Sequence, residues 1–145
     1  MLENEKSGTT DSQEYQIAME VFYNKHLLQP KFLDAEQKSL IARSASQFNL
    51  DAYLAMWGPS GFFANGSLAN YDRYEDLRKI NIPTFFACGE FDEATPGTVC
   101  KFHKQVRHSL FRIMKACSHQ AYFEMPFEFQ KMLSIAIDEL LANVN

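Results

Sequence analysis

The 145-residue sequence has no apolar run approaching the roughly 20 residues that a membrane-spanning helix needs, so a bilayer-embedded protein is not expected. Its opening stretch, MLENEKSGTTDSQEY, is polar and mixed in charge where a secretory signal requires an apolar core, which points to the cytoplasm. Positive charge is also scarce. Fourteen Lys and Arg stand singly against eighteen Asp and Glu, for a net charge of −4, so no basic stripe exists that could neutralise phosphates. Nucleic acid and membrane surfaces are therefore not expected partners. Cysteine is limited to Cys88, Cys100 and Cys117, odd in number and without CxxC or Cys/His clustering. That spacing suggests neither a disulfide framework nor a metal site, and leaves buried free thiols as the plain reading. Internal repeats and low-complexity tracts are missing too.

Apolar and aromatic residues are plentiful. The chain is 46% hydrophobic and 14% aromatic, with 13 Phe and 6 Tyr, a globular composition in which most rings must pack against something. Residues 1 to 11 read as a loose tail. Asp11 with Glu14 forms an N-cap pair before a helix that places Tyr15, Ala18, Met19, Phe22, His26 and Leu27 on one face, and Pro30 ends it. Asp34 with Gln37 opens a second helix through about Ser46, with Leu40 and Ile41 as its apolar contribution. A short amphipathic segment covers Leu50 to Trp57; loop follows, then a helical turn near Tyr74 to Lys79.

From Ile82 the pattern changes. Pro83 to Gly89 and Leu110 to Met114 are short, continuously apolar runs, as strands buried on both faces require. Helices are predicted from about Pro96 to Val106 and from Pro126 to Asn143, the latter with Phe129, Met132, Leu133, Ile135, Ala136 and Leu140 on its apolar face. Strand, helix, strand, helix is a βαβα unit with parallel strands. Two such strands alone make a poor sheet, because they need cover on both faces and neighbours at both edges.

In open parallel sheets, chemistry gathers in the loops after the carboxyl ends of the strands. Those loops are Glu90 to Thr95 and Ala116 to Gln120. Following adjacent strands, they should bring Asp92 and His119 together, and Asp before His is the second half of the Ser…Asp…His order of α/β-hydrolases. Position alone leaves a plainer alternative open, in which Asp92 caps the next helix and His119 is an ordinary loop histidine. Neither candidate nucleophile fits. Gly58-Pro59-Ser60-Gly61-Phe62 places a serine two after a glycine, but its fifth residue is Phe62 and no buried strand leads into it. Ser118 lacks the glycines and directly precedes His119, so it reads as a loop hydrogen bonder.

Four ordered segments now carry a resemblance: Met56-Trp57-Gly58-Pro59-Ser60, Ile82-Pro83-Thr84, Cys88-Gly89-Glu90-Phe91-Asp92-Glu93-Ala94-Thr95-Pro96 and Cys117-Ser118-His119. Across about residues 14 to 142 the chain resembles the C-terminal portion of the proline iminopeptidases. The resemblance implies an α/β fold, the C-terminal part of an α/β-hydrolase. Residues 1–75 would be a helical cap segment with a polar tail, and residues 76–145 the last two parallel strands and their helices. It implies Asp92 and His119 as triad members, and Glu93, Trp57 and the position of Gly61 as substrate-binding, with no cofactor and no metal. The family carries a Glu where this chain has Gly61, which weakens recognition of a substrate ammonium, because one carboxylate binds less directionally than two. The implied substrate is a peptide with N-terminal proline or another small residue. With Asp and His but no nucleophile, the isolated chain is expected to be inactive. Rival readings are a non-catalytic interaction protein or relic, and one chain of a split hydrolase whose N-terminal half is supplied in trans.

Overall fold

A computed structural model of the chain describes residues 1–61 and 63–142. Phe62 of the serine-containing loop and the expected helix end at Asn143 lie outside the described residues. The chain divides into two compact units, Met1–Val21 with Asp34–Asp72, and Phe22–Leu33 with the chain from Arg73 onward.

The first unit is helical. The expected loose tail instead forms a helix, α1 (Leu2–Ser7), closed by Gly8 in the left-handed conformation. Asn4 reaches from it to the Ser12 hydroxyl, and Glu5 accepts from the Tyr15 hydroxyl at 3.1 Å. Those side-chain bonds, which local composition does not advertise, hold the segment in place. The next helix, α2 (Gln13–His26), is capped one residue later than the sequence suggested: Ser12, not Asp11, accepts from the Tyr15 amide. Its expected apolar face is the covered one, with Tyr15 fully buried. The capping box of Asp34 and Gln37 opens α3 (Ala35–Ser46) as expected, although Leu40 is exposed. Asn49 caps α4 (Leu50–Met56). Gly58 has φ +99°, and a Cβ there would collide with the Asn65 side chain, so the turn after α4 requires glycine.

The second unit carries the sheet. A 3-10 turn at Tyr74–Lys79 precedes β1 (Thr84–Gly89), α5 (Pro96–His103), β2 (Ser109–Met114), a short α6 (Ala121–Glu124) within the expected loop, and α7 (Pro126–Ala142). The strands pair in parallel and in step, from Thr84 opposite Ser109 to Gly89 opposite Met114, so they end together. Helix α5 stops at His103, short of the expected Val106, whose amide instead bonds the His103 carbonyl in a turn. Met114, Cys117 and Ala121 form the buried centre, packed by Met125, Phe129 and Met132. Burial on both faces is realised only at the carboxyl ends of the strands. Cys88, Gly89 and Met114 are covered, whereas Ala87, Arg112 and Ile113 are exposed. Ile135 of α7, expected on the apolar face, is likewise exposed.

Candidate active site

Because β1 and β2 end in register, their following loops emerge side by side. The Glu90 amide still bonds the Met114 carbonyl, and the Phe91 amide bonds the Cys117 carbonyl. Gly89 is fixed by this approach: a Cβ there would collide with the carbonyl oxygens of Cys117 and Ser118. Ala116, with φ 61°, turns the second loop, its amide bonded to the Glu90 carboxylate.

Asp92 and His119 meet at 2.9 Å, Oδ1 to Nδ1. The Asp92 carboxylate is buried and also accepts from the amides of Gly89 and Ala94, which fix both of its oxygens. A carboxylate only accepts, so Nδ1 of His119 carries the proton and Nε2 of the neutral ring holds a lone pair. The His119 side chain is 46% exposed, so this unit leaves the ring accessible. Its pKa is raised, first by the hydrogen bond to Asp92; partial burial opposes this, and the charges of Asp92 and Glu93 add to it. The plainer role for Asp92 is not what the geometry shows, since Thr95 caps α5. Glu93 is half-buried beside the pair. Burial pushes its carboxyl up and the Asp92 charge adds to that, while His119 and His26 pull it down.

The remaining sequence candidates lie elsewhere. Trp57 and Gly61 belong to the first unit, both exposed, with the Trp57 carbonyl accepting from the Asn65 amide. Ser60 is buried and bonds the Tyr15 hydroxyl. Ser118 is fully buried, and its hydroxyl donates to Glu124, the loop role expected from sequence. One further Ser and His pair occurs, Ser109 Oγ and His103 Nδ1 at 2.8 Å, but that hydroxyl faces the carbonyls of His103 and Val106 and serves the turn between α5 and β2. The cysteines are free; burial pushes the thiols of Cys88 and Cys117 up to about 11, so neither is an activated nucleophile. Among the described residues no cluster could hold a metal ion, and no helix is long and apolar enough to cross a membrane.

Sequence reasoning passed over His26, Gln29 and Glu124. The His26 carbonyl accepts from the amides of both Glu93 and His119, and its ring Nδ1 lies 2.7 Å from the Phe91 carbonyl. Nothing in the local pattern marks a helix end as the strap across two distant loops, or Glu124 as its buried partner.

A parallel pair ending in an Asp loop and a His loop, with α5 between the strands and α7 behind them, is the C-terminal part of an α/β-hydrolase. No family model matches the chain. It is 38% identical over 125 residues to a proline iminopeptidase of Heyndrickxia coagulans, covering 86% of this chain and 42% of that protein. A proline iminopeptidase of Thermoplasma volcanium is 33% identical over 127 residues, 87% of this chain and 42% of that one. Among solved structures, a proline iminopeptidase of Mycobacterium smegmatis superposes with TM-score 0.77 at 26% identity, over 97% of this chain and 47% of that one. The crystal structure of VinJ gives 0.76 at 29% identity, over 97% and 46%. The chain belongs with the proline iminopeptidases and matches their C-terminal part. It spans less than half the length of the curated relatives that it matches.

Proposed function

We propose that the chain supplies the Asp and His of a serine-hydrolase triad in a proline iminopeptidase-like aminopeptidase, and that by itself it is inactive. The observation that carries this reading is the 2.9 Å bond between buried Asp92 and Nδ1 of the accessible His119, which leaves Nε2 free to act as a base. In that role Nε2 removes the proton of a serine hydroxyl as its oxygen attacks the substrate carbonyl, then protonates the departing amine; water later releases the acyl group. Asp92 holds the tautomer and stabilises the imidazolium. Residues 1–75 act as the cap segment and 76–145 as the end of the hydrolase core. Glu93 pairs with the ammonium of a peptide's N-terminal proline or other small residue. Neither candidate serine suits the nucleophile role, because Ser60 and Ser118 are both buried and engaged.

The test supplies the N-terminal half of a complete relative, fused or in trans, and follows hydrolysis of a prolyl amide. Activity should appear on combination, and Asp92→Asn should lower turnover by about 10⁴-fold through the wrong imidazole tautomer. Glu93→Gln should reduce the preference for prolyl over N-acetyl-prolyl amide. Turnover by the unpaired chain, lost with His119, would refute the reading.

A further inference from the structure

The main chain around His119 is held at three consecutive amides, with the Ser118 hydroxyl beside them. The Ser118 amide bonds Glu124 Oε2 at 2.7 Å, and the Ser118 hydroxyl bonds Glu124 Oε1. The His119 amide bonds the His26 carbonyl at 3.1 Å, and the Gln120 amide bonds the Leu27 carbonyl at 2.9 Å. Glu124 Oε1 also accepts from the Gln29 amide at 2.6 Å. One buried carboxylate thus joins the His119 loop to the segment after α2, and that segment's carbonyls hold the same loop directly. The His26 carbonyl ties in the Asp92 loop as well, through the Glu93 amide at 3.2 Å.

We propose that Glu124 is a positioning residue for His119, acting through Ser118 and the segment His26–Gln29 to keep the imidazole on Asp92. A carboxylate suits this place because it accepts only, with room for three donors. Gln at this position would present an amide N–H₂ to at least one of those donors. The inference rests on the reading of Asp92 and His119 as a working pair. The charged groups facing His119 are Asp92 and Glu93, while the His26 carbonyl holds its amide and the His26 ring faces the Phe91 carbonyl.

The experiment uses the chain as it stands, labelled with ¹⁵N at histidine, and follows the His119 ring by NMR through its titration in wild type, Asp92→Asn, Glu124→Gln and Ser118→Ala. Asp92→Asn should lower the His119 midpoint. Glu124→Gln should reproduce more than half of that drop and Ser118→Ala a smaller part. A folded Glu124→Gln variant that melts earlier yet keeps the wild-type His119 midpoint would show a merely structural role and overturn the proposal. Should Glu124→Gln fail to fold, an unmoved midpoint in Ser118→Ala overturns it equally. An unmoved midpoint in Asp92→Asn would instead sink the pair itself, and the proposal with it.

Discussion

His119 gives the chain a pH signature that needs no catalysis to observe. Its folded pKa lies above the ordinary value near 6.5, so its contribution to stability is complete below that value and is lost as pH rises through the folded one. Glu93, also raised, acts in the same direction from its ordinary 4.5 upward. The thiols of Cys88 and Cys117, raised to about 11, add to the decline only above 9. Glu90 runs the other way: the Ala116 amide and Lys115 hold its carboxyl low, so what it contributes is lost on acidification. Urea midpoints should therefore fall as the pH rises above about 6.5, and Asp92→Asn should flatten that fall because it removes the largest cause of the His119 shift. A wild-type chain whose midpoint stays constant above that pH would mean that the hydrogen bond is not maintained in solution.

At the scale of elements, Gly89 is the contact on which the two loops converge, and the packing there is backbone against backbone. Gly89→Ala should cost about 1–3 kcal/mol as overpacking that no rotamer change can relieve, and should push the Ser118 carbonyl and the His119 loop away. Denaturant titration reads the cost; loss of the raised His119 midpoint reads the displacement. Much at this scale was legible in the sequence. Asp34 and Gln37 announced α3 because a capping box is a local device, and the two apolar runs announced parallel strands whose ends bring Asp92 to His119. What escaped depends on distant partners. The Ser12 cap, the ordering of α1 through Glu5 and Tyr15, and the bonds of Glu124 to Gln29 and Ser118 have no periodicity or spacing that betrays them. Ile113 and Ile135 misled for a related reason: their apolar character asks for cover that this chain does not provide.

For the whole molecule, that uncovered surface sets solution behaviour. The sheet has only two strands among the described residues, each with a free edge, and Ile113, Phe127, Ile135, Ile137 and Leu141 are exposed. Purified alone, the chain should self-associate with rising concentration and bind hydrophobic dyes, and a complementary hydrolase half should suppress both. Light scattering on a size-exclusion column measures this; a monomer with low dye binding and a cooperative melt would contradict it. The tie between Gln29 and Glu124 has a different consequence, in the order of events as the chain is made. Those residues stand 95 positions apart, whereas β1, α5 and β2 are contiguous and can pair as soon as they emerge. The Leu27 carbonyl and the Gln29 amide lack these partners until Gln120 and Glu124 have been made, so closing this tie is a long-range step that follows the local pairing of β1 with β2.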